Sequence, residues 1–223
     1  NIIKGIIANG HILIEDVPGV GKTTLVKALA KSLNLSYKRI QFTPDLLPSD
    51  ILGISIYNQR TMEFEFKKGP IFSNIVLADE INRTSPKTQS ALLEVMEEKQ
   101  VSEGNETYKL EEPFIVLATQ NPIEYEGTFI LPEAQLDRFM IKVNVGYPEK
   151  MYESKMLKIY RNYDPLESIN SVAEAKDIIE LQKKVRDVHV SDEINSYIVN
   201  IAEATRNNKC LSLGISPRAC LAL

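Results

Sequence analysis

The run Glu15-Asp16-Val17-Pro18-Gly19-Val20-Gly21-Lys22-Thr23-Thr24 has the residue types and spacing of a loop that cradles phosphate. Glycines let backbone N–H groups turn towards phosphate oxygens, a following helix presents its positive N-terminus, and a lysine adds a mobile point charge. Lys22 is therefore expected at the β- and γ-phosphates and the Thr23 hydroxyl at Mg²⁺, with Pro18, Gly19, Val20, Gly21 and Thr24 completing the cofactor-binding positions. Gly19 and Gly21 supply backbone freedom that a side chain would obstruct. The strict pattern has glycine five residues before Gly21, where this chain has Asp16, a carboxylate close to the expected anion. Asp16 can remain compatible with phosphate if its carboxylate turns away and caps local backbone N–H groups.

Phosphoryl transfer also needs a metal holder, a water activator and charge stabilisers. Ile75-Val76-Leu77-Ala78-Asp79-Glu80 reads as an apolar strand ending in two acids, with Asp79 as metal holder and Glu80 polarising the attacking water. Asn121, after Leu117-Ala118-Thr119-Gln120, can orient that water or sense the γ-phosphate; alone it is equally a turn-former before Pro122. Arg138 lies near the end of a short helical stretch and can reach a neighbouring subunit's γ-phosphate, its alternative being a surface pair with Asp137 or Glu133. Arg218, in Ser216-Pro217-Arg218, opens the last helix and can bring it onto nucleotide.

Alternating apolar strands and helical patterns must position these groups. The strands are expected at His11 to Glu15, Tyr37 to Gln41, Asn74 to Asp79, Phe114 to Thr119 and Ile141 to Val145. Their apolar continuity suits an α/β fold with a mostly parallel sheet covered by helices on both faces. Leu25 to Leu33 reads as the helix after the phosphate loop, and Ser85 with Pro86 starts another whose Ala91, Leu92, Val95 and Met96 share one face. Two insertions interrupt the alternation. Leu52 to Phe66 contains short β-like pieces, and Val101 to Leu110 reads as a hairpin turning at Gly104-Asn105. Beyond Gly146-Tyr147-Pro148 the pattern is helical, at Lys150 to Arg161, Ala173 to Val188, Asp192 to Arg206 and Pro217 to Leu223. The expected division is an α/β domain over residues 1–147 and a smaller all-helical lid over residues 148–223. Both ends read as interrupted helices, so the sequence is expected to be part of a longer chain, its lid truncated.

The 223 residues are 43% apolar and 25% charged, with a net charge of −4, which suits a globular protein and gives no overall basic footprint for nucleic acid. Lys67, Lys68 and Lys109 are small basic spots near the two insertions. No stretch is apolar enough for a transmembrane segment. Cys210 and Cys220 are too few for a disulfide framework, and a reducing, cytoplasmic setting is expected. His11 and His189 have no ligand-spaced cluster beside them.

These motifs together resemble the MoxR family of AAA+ ATPases, within the branch carrying an insert in the second helix. The resemblance rests on Val17 to Thr24, Leu47 to Gly53, Phe64 to Phe72, Ala78 to Arg83, Pro86 to Met96, Ala118 to Pro122, Leu131 to Phe139 and Ser216 to Ala219. It implies a P-loop NTPase with Walker A and B elements, binding ATP and Mg²⁺ and hydrolysing ATP as a homo-oligomeric, hexameric ring. It implies sensor 1 at Asn121, the arginine finger at Arg138 and sensor 2 at Arg218, acting within its own subunit or across the interface. Leu52 to Phe66 would be the helix-2 insert and Val101 to Leu110 the pre-sensor hairpin, both facing the ring axis or a client. The implied role is chaperone-like remodelling or maturation of a protein client, beside a partner with a von Willebrand factor A domain. A DNA-stimulated motor, and a nucleotide-gated switch with little turnover, are the competing expectations; no nucleic-acid partner is expected.

Overall fold

The computed structural model describes residues 1–121, 127–161 and 163–223; Pro122 lies outside them. A parallel sheet forms the centre, built from β1 (His11–Glu15), β2 (Tyr37–Gln41), β5 (Ile75–Asp79), β8 (Ile115–Gln120) and β9 (Phe139–Val143), in the spatial order β2-β5-β8-β1-β9. Every pairing within it is parallel. β5 and β8 hold the middle, and Ile75 to Ala78 and Ile115 to Ala118 are fully buried, as strands covered on both faces must be.

Two apolar clusters lie on opposite faces of the sheet. One gathers Leu13, Val76 and Val116 with Leu92, Val95 and Met96 of α4 (Pro86–Glu98). Its helix starts as the sequence implies: Ser85 accepts from the Thr88 N–H and Pro86 occupies the first turn. The other gathers Ile12, Ile14 and Leu77 with Ile6 of α1 (Ile2–Ile7) and Val26 and Ala30 of α2 (Lys22–Ser32).

Between β2 and β5 the chain forms α3 (Pro48–Leu52) and the antiparallel hairpin of β3 (Gly53–Asn58) and β4 (Glu63–Lys68). A second hairpin, β6 (Gln100–Glu103) with β7 (Glu106–Lys109), follows α4. Phe66 of the first stacks on Tyr108 of the second with ring centroids 4.3 Å apart. The rest comprises α5 (Glu133–Leu136), α6 (Lys150–Tyr160), α7 (Ala175–Arg186), α8 (Asp192–Arg206) and α9 (Pro217–Ala222). α7 joins the α1–α2 side of the core through buried Ile178, and Gln182 Nε2 donates to the Ile6 carbonyl at 2.8 Å. Among the described residues no helix is long and apolar enough to cross a membrane.

Two of the boundaries that differ from the sequence expectation bear on the site, and each has a physical reason. The last strand starts at Phe139 and ends at Val143, two residues earlier than the apolar pattern suggests. Phe139 is buried beside His11, and the Val145 N–H is taken by the Asp16 carboxylate. The helix after the phosphate loop starts at Lys22, because the loop itself forms its first turn.

Candidate functional site

After Glu15 the chain turns through Gly19 and Gly21, whose φ values of 86° and 88° lie in the left-handed region that glycine tolerates. A Cβ at either would meet no protein atom within 4 Å, so backbone conformation rather than crowding by the chain demands glycine there. Gly21 caps α2, which aims the helix N-terminus and its free N–H groups into the loop. Lys22 Nζ donates to the carbonyls of Asp16 at 2.8 Å and Val17 at 3.3 Å, bracing the loop from inside.

The Asp16 carboxylate faces elsewhere. Its Oδ1 accepts from the Val17 N–H at 2.8 Å, and its Oδ2 accepts from Val145 at 2.7 Å and Gly146 at 2.5 Å. The Gly146 bond, helped by those from Val17 and Val145, holds this carboxyl below the usual range despite desolvation. The residue that departs from the strict glycine pattern thus ties the loop's entry to the turn that leads into α6.

β5 ends on the acids. Asp79 Oδ1 accepts from Thr119 Oγ1 at 2.6 Å, and its Oδ2 accepts from Arg39 Nε at 2.9 Å and Nη2 at 2.8 Å. Glu80 has left-handed backbone, φ 58° and ψ 50°, a conformation a non-glycine residue adopts only when its surroundings impose it. Its N–H donates to Thr119 Oγ1 at 2.9 Å, while its Oε2 accepts from Gln41 Nε2 at 2.7 Å and Arg83 Nη1 at 3.1 Å. Arg39 also donates to Gln41 Oε1, so two alternate residues of β2 each hold one of the two acids. Buried Asn121 follows β8, and its carbonyl accepts from Asn82 Nδ2 at 3.4 Å.

Pro18, Gly19, Gly21, Lys22, Thr23, Asp79, Glu80 and Asn121 converge on one cavity of about 310 Å³, with Arg39 on its wall. Val20 and Thr24 do not line it. A larger cavity, about 420 Å³, sits among His11, Met96, Arg138, Phe139 and Arg218. Only the smaller one combines turned glycine N–H groups, a lysine and paired acids, and it is the phosphate candidate.

Arg138 and Arg218 are at the other end of the sheet. β1 pairs His11 with Phe139, so Arg138 precedes the edge where the strands begin, whereas the phosphate loop follows the edge where they end. The four steps from His11 to Glu15 in β1 rise roughly 13 Å between those edges. Both arginines bond Glu97: Arg138 Nε donates to Oε2 at 2.9 Å and Arg218 Nη2 donates to Oε1. The surface pair considered for Arg138 is thus not made with Asp137, which instead accepts from Ser216 Oγ at 2.6 Å.

Residue types alone did not single out Arg39, Gln41, Arg83, Thr119 or Glu97. No signal in the sequence marks Gln41: it stands opposite Asp79 only through the β2–β5 register, and from there its side chain reaches Glu80.

Residues 11–141 match the model of the ATPase family associated with various cellular activities (AAA). The Bacillus subtilis protein YeaC is 56% identical over 99% of this chain and 69% of its own length. Chaperone MoxR1 of Mycobacterium tuberculosis is 43% identical over the whole of this chain and 61% of its own length. A crystal structure of a Cytophaga hutchinsonii protein superposes with a TM-score of 0.89 at 46% identity, covering 99% of this chain and 70% of that one. The chain thus spans between 61% and 70% of these relatives. With its phosphate loop, its acid-tipped strand and relatives carrying the MoxR name at 43% and 34% identity, the chain belongs to the MoxR family of AAA+ ATPases.

Proposed function

We propose that the chain binds ATP with Mg²⁺ between Gly19 and Thr23 and hydrolyses it in a site that a second copy completes, as part of a homo-oligomeric ring that remodels a protein client. The observation that carries this reading is the separation of charge: cradle and acids share one cavity, while Arg138 and Arg218 stand at the opposite edge. A guanidinium cannot span a strand's length, which supports assigning these arginines to a neighbour's nucleotide.

Backbone N–H groups of the loop and the helix N-terminus hold the phosphates, and Lys22 leaves the Asp16 and Val17 carbonyls for them. The Thr23 hydroxyl and the Asp79 carboxylate form an oxygen-only donor set, which fits a hard divalent cation. When bound, that cation neutralises charge building on the β- and γ-oxygens. Glu80 polarises the attacking water after one of its two donors, Gln41 or Arg83, yields its place. Asn121 orients that water, and Arg138 from the neighbour offsets the transition-state charge. Residues 1–147 act as the nucleotide domain and 148–223 as the lid; the stacked hairpins, joined through Phe66 and Tyr108, move together against a client. A von Willebrand factor A partner follows the family picture by analogy alone.

Glu80→Gln tests the core of this reading. Bound fluorescent nucleotide should be retained within about threefold of wild-type affinity, while turnover falls at least about a hundredfold. Unchanged turnover would remove Glu80 from the mechanism. Specific activity should also rise with protein concentration as copies assemble, and a flat dependence contradicts the shared site.

A further inference from the structure

We propose that Glu97 is a positioning residue that assembles Arg138 and Arg218 into one preformed fork for the triphosphate bound by a second copy; this rests on the shared-site reading above. Glu97 lies in the last turn of α4. Its two carboxylate oxygens are divided, Oε2 to Arg138 Nε at 2.9 Å and Oε1 to Arg218 Nη2. The three residues come from α4, the segment between α5 and β9, and the first turn of α9, so no local rule of sequence brings them together.

A second link fixes the same junction. Asp137 Oδ1 accepts from Ser216 Oγ at 2.6 Å, and Ser216 Oγ in turn accepts from the Ala219 N–H as the cap of α9. Arg206 Nε bonds the Ile215 carbonyl at 2.9 Å, bracing the turn that carries Ser216. α9 is therefore seated on residues 137–138, with Arg218 beside Arg138.

Two guanidiniums this close repel each other unless a shared anion lies between them. Glu97 is that anion, and the bond from Arg138 with the nearby charge of Arg218 keeps its carboxyl below the usual range. Arg138 spends Nε on Glu97, which leaves its terminal nitrogens for a phosphate oxygen. The side chains stay reachable, at 29% exposure for Arg138 and 46% for Arg218. Pairs this exposed add little to stability, so what Glu97 supplies is geometry.

The test uses Glu97→Ala, Glu97→Asp and Arg138→Ala in the full chain, each mixed with Lys22→Ala copies, whose own site is dead but whose arginine face is intact. Glu97→Ala alone should lower kcat about tenfold to a hundredfold with KM for ATP within about twofold, because its own cradle is unchanged. Its melting temperature should stay within about 3 °C of wild type. Glu97→Asp, which keeps the carboxylate, should recover part of the loss. Excess Lys22→Ala should restore turnover to Glu97→Ala and to Arg138→Ala alike, by lending an intact arginine face. Wild-type kcat in Glu97→Ala overturns the proposal, as does rescue of Arg138→Ala without rescue of Glu97→Ala. If neither is rescued, the shared-site reading itself falls, and the role of Glu97 with it.

Discussion

At the edge where the strands end, Asp79 closes β5, Asn121 follows β8 directly and Lys22 stands one short loop beyond β1, and all three line one cavity; at the edge where the strands begin, Arg138 and Arg218 meet only because residues 41 and 121 positions from Glu97 fold back onto it. The first constellation is built by local rules: an apolar strand stops, a polar group follows, and parallel pairing lines the groups up. The second is built by tertiary placement of α4 against α9. On the proposed shared-site reading, this division would keep binding in one copy and take the charge that completes catalysis from another.

The sharpest way to break that comparison is Arg138→Ala. Nucleotide affinity should stay close to wild type while turnover falls by a factor of about 10³, as for loss of a charge met only in the transition state. Steady-state kinetics with a separate binding titration separates the two effects. A parallel loss of affinity would mean that Arg138 reaches its own copy's phosphates, and the two edges would no longer be independent.

A second difference is that the arginine edge contains a buried histidine, where the phosphate edge buries carboxylates. His11 Nδ1 accepts from the Val116 N–H at 3.0 Å, and its Nε2 lies 2.9 Å from the Met96 carbonyl, which can only accept; the ring is therefore neutral with its proton on Nε2. Burial lowers its pKa from 6.5 to about 4, against the raising effect of the Met96 bond. Between those values the unfolded chain binds the proton and the fold does not. The contribution is therefore present in full above pH 6.5 and is lost as pH falls towards 4, amounting to about 3 kcal/mol. Urea unfolding at a series of pH values should show that decline, with the His11 ring signal titrating near pH 4 by NMR. A His11 titration at an ordinary histidine value would remove the effect.

What could be read in the sequence divides along the same line. The phosphate loop, the acids closing β5 and both hairpins were legible because glycine spacing, apolar runs and turn residues encode them within a few positions. The hold of Gln41 on Glu80 was not, because it depends on β2 lying in register against β5, and apolar periodicity does not state which strands pair. Nothing local sets Glu97 apart from Glu94 and Glu98 on α4, and Arg138 has nearer acids in Asp137 and Glu133; what overrides proximity is Ser216, which takes up Asp137 as α9 docks. α3 and α5 are too short to leave a helical period.

Asp16 lies on the boundary between the two kinds of region and gives the smallest predicted effect. It sits in the phosphate loop, yet its carboxylate serves the turn at Val145 and Gly146. Asp16→Asn keeps the shape but leaves one acceptor oxygen where two were used, with an amide N–H₂ facing backbone donors. A cost of about 1–2 kcal/mol in unfolding free energy is expected, with ATP affinity within about threefold of wild type. Asp16→Gly restores the strict glycine pattern and removes all three bonds, so it should destabilise at least as much without tightening nucleotide binding. A clear gain in affinity on either change would mean that the carboxylate does oppose phosphate, and the loop would then be less separate from the turn into α6 than its hydrogen bonds indicate.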